Sequence, residues 1–130
     1  MTRLFLLSCL AMLSGAAAAE SPQQILAAYQ QQAGSASASR GEKFFFAKVP
    51  QANGETAGCT SCHTDNPKSV GKTRAHKSIE PLAPIANRER FTDPAKVEKW
   101  FRRNCNDVLG RECSAAEKAD VMAWLIGLKP

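Results

Sequence analysis

The chain has 130 residues and a formal net charge of +5, from 17 Lys and Arg against 12 Asp and Glu. That length holds one small domain and leaves no room for a second. The basic excess comes without a dense Lys/Arg block interleaved with aromatics, which argues against nucleic-acid binding and for a face that docks an acidic protein partner.

The chain opens with a short basic start ending at Arg3, an apolar run over residues 4–13 and a small-residue site, Ala17-Ala18-Ala19. This is the pattern of a secretory signal, predicted to be cleaved after Ala19 with export to the periplasm. A transmembrane anchor would need roughly 20 apolar residues, more than this run supplies, so the protein is not expected to be membrane-embedded. A lipoprotein signal at Leu6-Leu7-Ser8-Cys9 would have an apolar core short for secretion. Cleavage removes Cys9 and leaves the even set Cys59, Cys62, Cys105 and Cys113, which suits an oxidising compartment.

Ser21-Pro22 puts a capping residue before a proline at the first helical position, and Ile25, Leu26 and Tyr29 follow at helical spacing. A short first helix is predicted there. Residues 30–39 turn small and polar and are expected to be a linker without core-forming residues, so the chain divides into 1–19 (signal), 20–39 (helix and linker) and a packed domain over 40–130. The cluster Phe44-Phe45-Phe46 is too apolar for a solvated surface, and a helix here brings its backbone close to another at Gly41. Residues 50–58 form a loop into the cysteines, and residues 66–90 carry little regular structure. Thr92-Asp93-Pro94 starts a helix whose Val97, Trp100, Phe101 and Asn104 share one face, so Asn104 is expected to point inward. Ser114-Ala115-Ala116-Glu117 fits a capping box, and Val121, Trp124, Leu125 and Leu128 form the apolar face of a last helix. No strand pattern of comparable strength exists, and the fold class is all-α.

Cys59-Thr60-Ser61-Cys62-His63 is a C-x-x-C-H signature. Two thiols at this spacing reach the two vinyl groups on one haem edge, and the following histidine can swing under the iron as proximal ligand. A structural zinc site would need further paired ligands, yet the other histidine is the lone His76, and Cys105 and Cys113 are spaced unlike a zinc pair. A thioredoxin-like dithiol would need a strand-helix-strand context that is absent. One covalent haem c is therefore predicted, and its apolar surface eases the stability problem of a small domain, with the Phe and Trp residues as packing shell.

The opposite axial position is less plain. Met1 and Met12 leave with the signal, and Met122 sits within the last helix, not in a ligand loop. His76 lies in a Lys-rich loop where exposure to solvent is the ordinary state. Asn104, next to Cys105, remains, though a buried asparagine also serves as a satisfied helix-end residue.

At these residues the chain resembles a known family. Arg90-Phe91-Thr92, Val97-Glu98-Lys99-Trp100, Arg103-Asn104-Cys105-Asn106, Gly110-Arg111 and Cys113 resemble the sphaeroides haem protein (SHP) family of monohaem cytochromes c. So do Gly71-Lys72-Thr73-Arg74, Pro81-Leu82-Ala83-Pro84 and Glu117-Lys118-Ala119-Asp120, and the likeness spans nearly all of the mature chain. It implies a small cytochrome c fold with an extra N-terminal helix. It also implies Asn104 as the sixth haem ligand and a disulfide between Cys105 and Cys113.

A carboxamide oxygen is a hard, weak ligand that suits ferric iron better than ferrous. Reduction should loosen Asn104 and open a site for oxygen, nitric oxide or carbon monoxide. The family resemblance implies a dihaem cytochrome c as electron donor, itself linked to a membrane cytochrome b. Lys68, Lys72, Lys77, Lys99, Arg102 and Arg103 are candidates for the docking face. One rival function is a plain electron carrier with both axial positions always filled. Another is a haem enzyme acting on oxygen, peroxide or nitric oxide, for which no second histidine or carboxylate can be placed over the haem from the sequence.

Overall fold

A computed structural model describes residues 19–130. The predicted signal segment and Cys9 lie outside the described residues, apart from Ala19. Five helices and two very short ladders make up the rest. They are α1 (Pro22–Ala33), α2 (Ala38–Phe46), β1 (Val49–Pro50), β2 (Thr56–Ala57), α3 (Thr60–His63), β3 (Gly71–Lys72), β4 (Ser78–Ile79), α4 (Pro94–Leu109) and α5 (Ala115–Gly127). Strands β1 and β2 pair antiparallel, as do β3 and β4, each closing a loop where little regular structure was expected.

The helix starts follow the local chemistry of their caps. Ser21 and Ser114 both close capping boxes, with Gln24 and Glu117 bonding back to the cap amide, and the Asp93 side chain accepts from the Lys96 amide. Gly34 at φ +84° and Gly110 at φ +68° end α1 and α4 in conformations that glycine adopts freely.

The linker expected over residues 30–39 is instead mostly helical. Gln30, Gln31, Gln32 and Ala33 are good helix formers and extend α1 to Ala33, so that the break is confined to Gly34 and its neighbours. Helix α2 begins at Ala38 because Ser37 caps it, and the Ser37 amide is fixed from outside by the Asp120 carboxylate at 2.6 Å. Ala36, within the supposed linker, packs on the core.

Helix α5 is the centre of the molecule. It is buried on almost every side, with Met122 and Leu125 fully enclosed, and α1 and α2 both lie against it. On one side Ile25, Tyr29, Val97, Ala119 and Met122 form a cluster; on the other Phe45, Val121, Trp124 and Leu125 form a second, with Phe91 and Phe101 packed against both. Of the three consecutive phenylalanines, only Phe45 is fully buried, while Phe46 is 41% exposed and turns its edge to Trp124. Each fully buried large side chain contributes about 2 kcal/mol.

Two polar residues inside this core are fully paired, as low local polarity demands. Buried Asp120 accepts from Arg40 through both oxygens, at 2.7 and 2.9 Å. Buried Lys118 meets Glu98 at 2.6 Å, and the Tyr29 hydroxyl donates to the other Glu98 oxygen at 2.8 Å, so α1, α4 and α5 are tied at one point. No helix among the described residues is long and apolar enough to cross a membrane.

Candidate haem site

The C-x-x-C-H segment is a single turn of helix. The Ser61 amide bonds to the Gly58 carbonyl and the His63 amide to the Cys59 carbonyl, while the Ser61 hydroxyl accepts from the Gly58 amide. The chain leaves this turn through Thr64 at φ +61°. Strand β3 lies directly on it, for a Cβ at Gly71 would overlap the carbonyl of Cys62. Only glycine permits that approach, and it holds the back of the His63 turn.

Cys59 and Cys62 are half-buried and unpaired among the described residues. Burial pushes the Cys59 thiol up to about 11, against the opposing pull of the Lys48 ammonium. His63 is also half-buried, and burial together with the positive charge of Arg90 brings its imidazole down to about 4. Two neighbouring thiols able to add to vinyl groups and a neutral imidazole able to ligate iron are what a covalently attached haem requires. Cys59 packs against the second cluster, as do Phe44, Leu82, Phe91, Phe101 and Leu128. Of the aromatic shell predicted around a haem, Phe44, Phe45, Phe101 and Trp124 belong to that cluster or pack against it, whereas Phe46 and Trp100 are each 41% exposed.

Helix α4 approaches this region through Phe101. Asn104 follows one turn later and, contrary to the expectation that it points inward, its side chain is exposed. Trp100 is likewise 41% exposed. The inward positions of α4 are Val97 and Cys105, and the stripe drawn through Trp100 and Asn104 lies on the flank between the core and solvent. Of the predicted face, Val97 is buried and Phe101 packs on the core, and the next inward place belongs not to Asn104 but to Cys105. It is joined to Cys113, with their Cα atoms 5.6 Å apart, and both are buried.

The other candidates for an axial ligand lie elsewhere. Met122 is fully buried in the cluster with Ile25 and Tyr29, not in the one that Cys59 joins. His76 is exposed in the turn between β3 and β4, at φ +59°. Lys68, Lys72, Lys77, Lys99, Arg102 and Arg103 are all exposed. Arg102 pairs with Glu112, and Lys99 and Arg103 lie over the Trp100 ring at 6.0 and 5.1 Å.

The chain is similar to known proteins. Residues 31–125 match the family model described as "Domain of unknown function (DUF1924)". The chain is 48% identical over 128 residues to the cytochrome c-type protein SHP of Cereibacter sphaeroides, covering 96% of this chain and 98% of that protein. It belongs to the sphaeroides haem protein family. The structure of oxidised SHP, an oxygen-binding cytochrome c, superposes with a TM-score of 0.78 at 46% identity, over 85% of this chain and 99% of that one. The solution structure of cytochrome c'' from Methylophilus methylotrophus, described for its haem-ligand detachment, gives a TM-score of 0.72 at 40% identity, over 82% and 93% of the two chains. The fold is thus that of a small cytochrome c, and the cofactor of this family member is covalently bound haem c.

Arg90, the first residue of the Arg90-Phe91-Thr92 segment, is half-buried, and its positive charge adds to the effect of burial on His63.

Proposed function

We propose that this protein is a periplasmic monohaem cytochrome c in which Cys59 and Cys62 form the thioether links and His63 is the proximal ligand. Asn104 is the ligand opposite in the oxidised state and lets go on reduction, so that a small diatomic molecule can take its place. The observation that carries this reading is the placement of Asn104. It stands on the exposed flank of α4, one turn beyond Phe101, which packs against both clusters including the one that Cys59 joins, whereas Met122 is fully buried within the other.

When bound, the haem supplies one-electron redox chemistry and an axial position on its iron. The residues of the chain do the rest. His63, kept neutral by burial, offers a free lone pair. The Asn104 carboxamide is a hard oxygen donor that grips the more highly charged ion and releases the softer reduced one. The bridge from Cys105 to Cys113 anchors the helix end that carries Asn104, so that release is a side-chain motion and not an unravelling of α4. The oxygen binding of SHP and the haem-ligand detachment described for cytochrome c'' support this assignment. Electrons would come from a dihaem cytochrome c fed by a membrane cytochrome b, docking against the exposed lysines and arginines.

The test is the ferric spin state and the ferrous carbon monoxide spectrum of the protein and of Asn104→Ala. The wild type should be high-spin or mixed-spin when oxidised and bind carbon monoxide when reduced, and the substitution should open the ferric site as well. Spectra unchanged by the substitution in both oxidation states would rule Asn104 out. A reduced protein that refuses carbon monoxide would instead favour a plain electron carrier.

A further inference from the structure

The positive charge of this chain is concentrated behind the attachment turn. Residues 66–79 carry four cations, Lys68, Lys72, Arg74 and Lys77, and no aspartate or glutamate, against a net +5 for the whole chain. All four are exposed, and none of them forms a salt bridge among the described residues. The cations of α4 are differently placed: Arg102 is paired with Glu112, Lys99 and Arg103 lie over Trp100, and the same helix carries Glu98 and Asp107.

The scaffold under the four charges has a fixed shape. In the β3–β4 hairpin Lys72 pairs with Ser78, the Thr73 amide donates to the Lys77 carbonyl at 2.8 Å, and the Lys77 amide donates to the Thr73 hydroxyl at 3.1 Å. The hairpin is also pressed onto the attachment turn. A Cβ at Gly71 would overlap the Cys62 carbonyl and stand 3.1 Å from the His63 Cα, so main chain meets main chain with no side chain between. Arg74 lines one groove of about 470 Å³ together with Ser61 of the attachment turn, and Glu55 is the one carboxylate in its lining. Val70, between Lys68 and Lys72 in the chain, is 53% exposed and adds an apolar point to the basic surface.

A field of one sign over a rigid surface draws in a partner of the opposite sign, and a small contact of this kind suits a transient encounter. The segment holds no aromatic side chain to stack on bases and no amphipathic helix to enter a lipid surface. We propose that the β3–β4 hairpin, with Lys72, Arg74 and Lys77 around Val70, is the docking surface for an acidic electron-transfer protein. The proposal rests on Cys59, Cys62 and His63 holding the haem, and it is independent of Asn104. One electron leaves the docked partner, which is oxidised, and reduces the ferric iron from the side of the His63 turn, with no bond made or broken.

The holoprotein is reduced in separate flash-photolysis experiments by plant-type ferredoxin, an acidic one-electron donor, and by the neutral lumiflavin semiquinone. Both are run at about 0.1 M salt, where charges more than about 10 Å from the contact are largely screened. Lys72→Glu with Lys77→Glu should slow the ferredoxin reaction about tenfold and leave the lumiflavin reaction as it was. Lys43→Glu with Lys96→Glu, an equal change of net charge on α2 and α4, should slow the ferredoxin reaction by less than about twofold. Should the reversed hairpin fail to hold haem, Lys72→Gln with Lys77→Gln gives the same comparison, with an expected fall of about threefold. A ferredoxin rate unmoved by the hairpin variants overturns the proposal, as does a larger loss in Lys99→Glu with Arg103→Glu. Equal slowing with lumiflavin overturns it too, because that reports a change at the haem and not in docking. A haem-stained denaturing gel of wild type reads covalent attachment separately, and an unstained band there overturns the attachment on which docking rests.

Discussion

Replacement of Gly41 by alanine probes the contact on which the central packing depends. Gly41 lies in the middle of α2, where it passes α5, and a Cβ there would overlap the Asp120 carbonyl and stand 2.7 Å from the Val121 amide nitrogen. Both obstacles are main-chain atoms of a buried helix, so neither can rotate away. Two effects compete. Alanine improves helix propensity over glycine by about 1 kcal/mol, whereas inserting a group into a filled interface costs about 1–3 kcal/mol. With backbone against backbone the upper end applies, since α2 must withdraw as a body. That withdrawal parts Phe45 from Trp124, whose ring centroids are 4.9 Å apart, and stretches the 2.7 Å bond from Arg40 to Asp120. The net expectation is a loss of about 2 kcal/mol, or roughly 10 °C in the midpoint of thermal unfolding for a domain of this size. Circular dichroism melts of wild type and Gly41→Ala measure it. Gly127→Ala, in the last position of α5 with no neighbour near its would-be Cβ, serves as control and should be neutral to slightly stabilising. A Gly41→Ala protein as stable as wild type would show that the two helices do not cross at this residue.

Two further outcomes follow from the ends of α4 and α5. The bridge between Cys105 and Cys113 closes a short loop, for which chain entropy gives roughly 2.5 kcal/mol; the double serine variant should lose about that much in urea unfolding, and an unaltered midpoint would assign the bridge no structural role. The Glu117 carboxylate accepts from Arg111 at both oxygens, at 2.8 and 2.7 Å, and from the Ser114 amide, which brings it down to about 2. Because the folded state depresses this group, its contribution is whole above the ordinary carboxylate value and is lost as pH falls through about 2. Glu117→Gln should therefore flatten the acid limb of the stability profile between about pH 4.5 and pH 2, and superimposable profiles would contradict the assignment.

Where the sequence was legible, the reason is that the relevant chemistry is local. Capping at Ser21, Asp93 and Ser114 depends on residues within three positions, and the C-x-x-C-H turn is closed by hydrogen bonds among Gly58, Cys59, Ser61 and His63. Gly41 could be anticipated because a glycine ahead of an apolar run has few other uses. The course of residues 30–39 was misjudged because the start of α2 is fixed from afar: the Ser37 amide is bound by Asp120, 83 residues away in the chain. The orientation of Asn104 failed for a related reason. A period of apolar residues locates a buried stripe only to within about one position, and the bridged Cys105 takes the inward place that Asn104 was assigned.

By itself, then, the amino-acid order determined the all-α class, the helix starts, the haem c cofactor and the kinship with SHP. Only the tertiary structure decided which polar groups lie inside. Lys118 and Asp120 read as ordinary charged residues of a capped helix, yet both are buried, because Glu98 and Arg40 arrive from other helices to neutralise them. Arg90 is the converse case, a half-buried charge that forms no salt bridge among the described residues. Burial of a charge depends on partners brought together from distant segments, and no window of sequence contains that pairing.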